Sequence, residues 1–229
     1  MNDPWLSVII PVRNEGARIG TTLAPLQPWR PRGVEVLVVD GDSSDHSALL
    51  ARELADRVLA SPPGRARQMN LGAGVARGGL LWFLHADTLC SDDHLQALQR
   101  WSGQPVWGRF DVRLSGPGPL LKLVAAGMNL RSRCSGIATG DQGIFVEPDL
   151  FRHVGGFPDQ PLMEDVELSA RLRREAAPAC ERPPLRVDSR RWESRGRWRT
   201  IILMWQLRWA YWRGVDPESL HRRYYGESG

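Results

Sequence analysis

The sequence predicts a single α/β domain on a mainly parallel sheet that becomes mixed in its second half, with helices flanking the sheet. Three observations predict it. Short β-branched runs alternate with helix-sized connections through the first 90 residues. These runs end in polar, acidic loops, as strands of open α/β sheets do at the edge that receives ligands. A period-2 stretch beginning near residue 106 then departs from the rhythm, as a half-exposed strand does.

Taken in order, Leu6-Ser7-Val8-Ile9-Ile10 and Val34-Glu35-Val36-Leu37-Val38-Val39 read as buried strands running into Pro11 and Asp40. A helix-sized connection lies between them. Ser43 or Ser44 is placed to cap a helix through about Leu54, and Arg57-Val58-Leu59-Ala60 follows as a short strand. Residues 65–77 read as a helix, after which Leu80-Leu81-Trp82-Phe83-Leu84 delivers His85-Ala86-Asp87 at its carboxyl end. From 106 to 114, Val106, Gly108, Phe110, Val112 and Leu114 alternate with Trp107, Arg109, Asp111 and Arg113. Further expectations are a helix over roughly 118–132, a strand at Ile144-Phe145-Val146 and a helix from Glu164 to Glu175. Pro183-Pro184 punctuates the chain. The span Trp198 to Trp212 reads as a helix with a wide apolar face of Ile201, Met204, Trp205, Leu207, Trp209 and Trp212, expected to pack on the domain or on a second subunit.

The composition limits the partners. A chain of 229 residues with 42% hydrophobic content can bury one sizeable core, so residues 1–229 are expected to form one domain. The formal charge is +4, and residues 181–229 alone hold eleven Arg against six acidic residues, so the basicity belongs to the tail. Phosphate-bearing ligands and an anionic membrane face both suit such a field. No nucleic-acid reading motif accompanies it, so no nucleic-acid partner is expected. Cys90, Cys134 and Cys180 are too widely spaced for a disulfide framework or a zinc cluster. No charged leader with an apolar core is present, and no apolar run reaches the roughly 18 residues of a spanning helix. A cytoplasmic location follows as the expectation. The Trp- and Arg-rich C-terminal helix is a candidate surface for a homodimer or for peripheral contact with the inner membrane face.

Three polar clusters follow strands: Pro11-Val12-Arg13-Asn14-Glu15, Asp40-Gly41-Asp42-Ser43-Ser44-Asp45 and His85-Ala86-Asp87. Each alone is explained by turns and helix caps. Together with Gly64 to Asn70 they place acceptors for a base and a ribose, and a carboxylate for a cation on diphosphate oxygens, along one sheet edge. The order of these motifs resembles the family 2 inverting glycosyltransferases, over nearly the whole chain. That resemblance implies the GT-A fold, with a nucleotide-sugar-binding half at 1–105 and an acceptor half at 106–229. Pro11, Arg13, Glu15, Asp40, Asp42, Arg67, Asn70, His85, Ala86 and Asp87 would contact the donor, with UDP the expected nucleotide. Leu81 to Asp87 is similar to the strand leading into the family's Asp-x-Asp motif, except that His85 stands where the first Asp is usual. Asp87 would bind the divalent cation, Mn2+ or Mg2+.

Gly140-Asp141-Gln142-Gly143, Gly155-Gly156-Phe157 and Met163-Glu164-Asp165-Val166-Glu167-Leu168 resemble the family's acceptor half. Asp165 matches its catalytic base, with Glu164 beside it, and Gly140, Asp141 and Gln142 would meet the acceptor. Acidic residues also suit a helix N-terminus without any catalytic role. Arg190 and Arg191 are candidates to steady the leaving diphosphate. Ser189-Arg190-Arg191-Trp192 occupies the place of the Gln-x-x-Arg-Trp of processive synthases but lacks the Gln, so transfer of a single sugar is expected. With Arg195-Gly196 and Gly214-Val215-Asp216-Pro217, the chain resembles a small bacterial subgroup found beside radical S-adenosylmethionine enzymes. Two alternatives stand beside this reading. One is a non-catalytic nucleotide-sugar-binding module of the same fold. The other is a sugar nucleotidyltransferase, which wants a Gly-rich triphosphate loop where Pro11 to Gly16 holds one Gly.

Overall fold

The structure is a computed structural model that describes residues 3–188 and 197–226. Its centre is one eight-stranded sheet. The strands are β1 (Leu6–Val12), β2 (Val34–Asp40), β3 (Arg57–Ala60), β4 (Leu81–Phe83), β5 (Thr88–Leu89), β6 (Trp107–Leu114), β7 (Phe145–Val146) and β8 (Ala179–Val187). They lie in the order β3-β2-β1-β4-β7-β6-β8-β5. The first four are parallel, β7 runs antiparallel to both β4 and β6, and β8 is parallel to β6. The sheet is therefore mixed from β7 onward, as the alternating pattern at 106–114 implied.

Every residue of β1 and β2 is buried, so their alternating side chains feed two cores, one on each face. Val8, Ile10, Val36 and Val38 pack with Leu23 of α1 (Gly16–Leu23), Ala51 of α2 (Ser47–Arg52) and Leu95 and Leu98 of α4 (Asp92–Gln99). Ile9, Leu37 and Val39 pack with Met69 of α3 (Arg65–Val75), and with Phe151 of α6 (Pro148–His153) and Leu168 and Leu172 of α7 (Glu164–Glu175). Helix α3 lies so close to the sheet that a Cβ on Gly72 would stand 2.5 Å from Ile9 Cγ2 and 3.1 Å from Val39 Cγ2. Its amino end is thereby fixed over the ends of β1 and β2. The remaining α-helices among the described residues are α5 (Pro119–Ser135), α8 (Arg197–Trp212) and α9 (Pro217–Tyr225).

Four expectations change. Ser43 and Ser44 do not cap α2, which starts at Ser47. The Ser43 hydroxyl donates to Asp40 instead, and the Asp45 carboxylate accepts the Ser47 N–H at 2.9 Å. Pro183-Pro184 does not end an element but lies within β8. The ladder with β6 jumps from Phe110↔Glu181 to Val112↔Leu185, so both prolines sit in a bulge where no N–H is required. The polar face of β6 is exposed only at Arg113. Arg109 is fully buried, paired with Asp111 and donating to the Asn129 carbonyl at 3.2 Å, because α5 roofs it. Finally, α8 packs through Leu203, Leu207, Ala210 and Tyr211 onto Leu162, Met163 and Leu220, while Trp205, Trp209 and Trp212 are 71%, 61% and 80% exposed. The side chains of Trp198 and Ile201 lie outside the described residues. Among the described residues, no helix is long and apolar enough to cross a membrane.

Candidate active site at the carboxyl edge of the sheet

Adjacent parallel strands end together, so the loops after β1 and β2 meet. Asn14 and Asp42 each adopt a left-handed backbone, at φ 56° and 63°, which turns both loops sharply back. The loops are laced across. The Asn14 N–H donates to Ser43 Oγ at 2.9 Å, the Ser44 N–H to Asn14 Oδ1 at 2.8 Å, and the Gly16 N–H to Asp45 Oδ2 at 2.9 Å. The Ser47 hydroxyl and amide and the Gly16 amide, all donating to Asp45, hold its carboxyl below the usual range. Gln68 of α3 closes the crotch beneath. Its Nε2 donates to the Val12 carbonyl at 2.9 Å and to the Val39 carbonyl at 2.7 Å, under Gly41, where a Cβ would strike the amide at 2.8 Å. Asp40 is nearly buried and turned onto Ser43, whereas Arg13 and Asp42 are exposed. Pro11 is buried within β1, and Glu15 lies 3.8 Å from Arg18.

One strand further along, β4 leads into His85-Ala86-Asp87. The Thr22 hydroxyl of α1 donates to the Ala86 carbonyl, and the Thr88 N–H to the His85 carbonyl at 3.1 Å, so the segment is held from both sides. Asp87 Oδ1 is buried without a hydrogen-bond partner among the described residues. A buried carboxylate oxygen left alone costs free energy, and a cation placed there removes that cost. The chain thus fits a divalent ion through Asp87. No cluster of three His, Cys, Asp or Glu ligands occurs among the described residues. Asp87 also lines a cleft of about 400 Å3 with Arg18, Thr22, Arg186 and Asp188. A larger cleft of about 750 Å3, lined by Arg77, Gly78 and Leu81, opens at the opposite end of β4, away from the acidic loops.

The second carboxylate arrives from α7. Met163, at φ 66°, enters the helix in a left-handed conformation that a non-glycine residue adopts only at a cost of about 1 kcal/mol. The following Glu164 and Asp165 occupy the first turn. Asp165 Oδ2 accepts the Gly140 N–H at 2.6 Å and Oδ1 accepts the Val166 N–H at 2.7 Å. Gly140 is the pivot, since a Cβ there would lie 2.6 Å from His85 Nε2 and 3.6 Å from Asp165 Oδ2. His85 and Asp165 are therefore neighbours across one glycine. Burial and the Arg65 charge lower the His85 pKa against the opposing pull of Asp87, Asp141 and Asp165. Asp40 lies on the same edge, two strands away.

Glu164 is 2% exposed and receives Arg65 Nε at 3.0 Å, while its Oε2 is buried without a partner among the described residues. Burial raises its pKa, opposed by Arg65 and reinforced by Asp165. Arg65 in turn is held fully charged, first by Glu164 and then by Asp165. Sequence reasoning named Arg67 and Asn70 on this helix and missed Arg65 and Gln68. Arg67 faces outward onto Asp159 at 2.9 Å. Asn70 clamps both backbone groups of Phe157, at 2.8 and 3.0 Å. Gln142 is fully buried and caps its own turn on Thr139. Arg190 and Arg191, with Trp192, lie outside the described residues.

A mixed sheet with a parallel half, flanked by helices, and two polar loops laced at its carboxyl edge are the GT-A architecture. Over the whole chain the structure is similar to the mannosyltransferase PcManGT of Pyrobaculum calidifontis in complex with GDP-Man and Mn2+, with a TM-score of 0.66, 20% identity and 66% of that chain covered. It is also similar to TarS 1-349 of S. aureus in complex with UDP, with a TM-score of 0.63 and 18% identity over 80% of this chain and 60% of the other. Residues 7–120 match the family described as Glycosyl transferase family 2. That match, over just under half of the chain, supports a glycosyltransferase of this family. A 4,4'-diaponeurosporenoate glycosyltransferase of Staphylococcus haemolyticus is 32% identical over 118 residues, which are 47% of this chain and 31% of the relative. An uncharacterized glycosyltransferase of Mycobacterium tuberculosis is 34% identical over 131 residues, 55% of this chain and 46% of the relative. The matches thus span a third to just under half of these relatives' length.

Proposed function

We propose that this chain moves one sugar from a nucleotide-diphosphate sugar to an acceptor hydroxyl with inversion at the anomeric carbon. The observation that carries the reading is the Asp165 carboxylate, held by the Gly140 amide at 2.6 Å against the same glycine that His85 meets from the other side, at the end of the segment that carries Asp87. Two backbone donors fix its oxygens, and their remaining lone pairs accept the acceptor's hydroxyl proton as that oxygen attacks opposite the leaving diphosphate. Inversion requires this opposition of base and leaving group. Asp40 and the laced loops hold the nucleoside, UDP in the first instance, and Asp87 holds a divalent cation. A bound Mn2+ or Mg2+ supplies Lewis-acid stabilisation of the charge that develops on the diphosphate. Arg190 and Arg191 are proposed to share that charge, and Asp141 to meet the acceptor. The complexes of structural neighbours with GDP-Man and with UDP-GlcNAc support a nucleotide-sugar donor.

The test measures nucleoside diphosphate release from a panel of UDP-, GDP-, dTDP- and CDP-sugars with Mn2+, for the native chain, Asp165→Asn and Asp87→Ala. General-base loss is expected to lower turnover by roughly 10²- to 10⁴-fold in Asp165→Asn, with donor affinity held within about twofold. Equal, negligible turnover in all three proteins refutes catalysis and leaves a nucleotide-sugar-binding module.

A further inference from the structure

Three tryptophans stand in solvent on one helix, and the reaction proposed above uses none of them. They are Trp205, Trp209 and Trp212 of α8, and Ile202 beside them is 54% exposed. Positions 202, 205, 209 and 212 are spaced by three and four, which sets the four side chains in one row along the helix. The other side of α8 is spent inward. Leu207 and Ala210 are buried with Leu162, Met163 and Leu220, and the Tyr211 hydroxyl donates to Glu167 Oε2 of α7 at 3.3 Å. Turning the row into the domain would undo that packing, so the indoles are held outward by the fold itself.

The charge beside the row is of one sign. From 197 to 213 the sequence holds four Arg and no Asp or Glu. The Arg213 guanidinium lies over the Trp209 ring, 5.1 Å from its centroid, so one of these cations borders the exposed row directly. Continued through α9 to Tyr225, the count is six Arg against two acidic residues. Exposed indoles flanked by guanidiniums suit an anionic bilayer, where the rings settle at the boundary of headgroup and acyl chain and the cations meet lipid phosphates. A second copy of the chain suits this face less. Two-fold association sets a patch against itself, which here brings guanidiniums against guanidiniums with no carboxylate on α8 to answer them.

We infer that α8 docks this domain on an anionic membrane surface, lying along the headgroups with Ile202, Trp205, Trp209 and Trp212 turned into them. The inference stands apart from the assignment of Asp165 as a base. Because α8 packs on Met163 and Val166, a helix diameter of about 10 Å then separates α7 from the lipid.

The experiment is co-sedimentation of the 229-residue chain with vesicles of phosphatidylcholine alone and of phosphatidylcholine and phosphatidylglycerol in equal parts. Trp209→Ser, Arg213→Ser and Leu123→Ser are compared with the native chain, the last removing an exposed leucine from α5. The native chain is expected to sediment with the anionic vesicles, and less so as salt rises. Trp209→Ser should weaken that binding by about tenfold or more, as the row loses an indole. Arg213→Ser should weaken it by about fivefold, the share of one cation at a charged surface. Leu123→Ser should leave it unchanged. Melting temperatures are read on the same samples, and Trp212→Ser replaces Trp209→Ser if the latter is not folded. Absence of native binding, or equal binding by all variants, overturns the inference. Equal native binding to neutral and anionic vesicles overturns the assignment to an anionic surface. A native dimer that Trp209→Ser dissociates, without vesicle binding, overturns it too and gives the face to a second copy. A chain that sediments as expected yet answers to no nucleotide sugar keeps the docking face and removes the transferase reading instead.

Discussion

Gly140→Ala is the smallest change that tests whether His85 and Asp165 act as one site. The added Cβ would sit 2.6 Å from His85 Nε2 and 2.9 Å from Cε1, but 3.6 Å from Asp165 Oδ2. Ordinary contact needs about 3.5 Å, so the imidazole must retreat by close to 1 Å while the carboxylate stays. The Gly140 N–H is untouched, and its bond to Asp165 survives. Overpacking at such a place costs about 1–2 kcal/mol, a fall in Tm of roughly 3–6 °C for a chain of this size. A misplacement of 1 Å in a reacting constellation costs up to about 10²-fold in rate. Turnover of the donor panel should therefore fall by roughly 10- to 100-fold while the fold persists, read by nucleotide release and by thermal melting on the same samples. Gly20→Ala serves as the control, because nothing lies within 4 Å of its Cβ in α1. It should raise Tm slightly, by up to about 3 °C, and leave the rate alone. A Gly140→Ala protein with native turnover would show that the imidazole beside Asp165 is a bystander.

Three other expectations follow from the same edge. Gln68→Ala strips the donor shared by the Val12 and Val39 carbonyls, which should cost about 2–4 kcal/mol and weaken nucleotide binding as the two loops separate; native stability and affinity together would contradict that role. The Asp45 carboxyl is depressed in the folded state, so its contribution is present above the unfolded pKa and lost as pH falls through the folded one. The Tm gap between the native chain and Asp45→Asn should accordingly close below about pH 4, and a gap constant from pH 7 to pH 3 would refute it. Asp87→Asn should abolish the extra thermal stabilisation that Mn2+ adds to a nucleoside diphosphate, worth about 2.7 kcal/mol at a hundredfold excess over Kd in the native chain; equal Mn2+ shifts in both proteins would place the ion elsewhere.

What the sequence disclosed and what it concealed divide along a physical line. Strands β1, β2 and β4 were legible because a strand buried on both faces needs an apolar, β-branched run, and few other elements want one. Strand β8 was hidden because its Pro183-Pro184 reads as a break, and only the pairing partner reveals that the prolines fall in a bulge opposite Asp111. The loops of the site were legible as acidic clusters after strands, but the direction in which each side chain points was not. Arg65 and Arg67 are both basic residues in the first turn of α3, yet one meets buried Glu164 and the other a surface carboxylate. Their roles are fixed by the packing of Ala66, Met69 and Gly72 on the sheet, which turns Arg65 inward and Arg67 out. The apolar face assigned to α8 meets this domain only in part, through Met204 and Leu207, since its hydrophobic residues encircle the helix and periodicity alone cannot choose between Leu207 and Trp209. Gly140 was named as an acceptor contact, although its missing side chain is what lets the imidazole and the carboxylate share one place. A motif names the residues near the chemistry, but close approach between strand ends and helix starts decides which of them can act together.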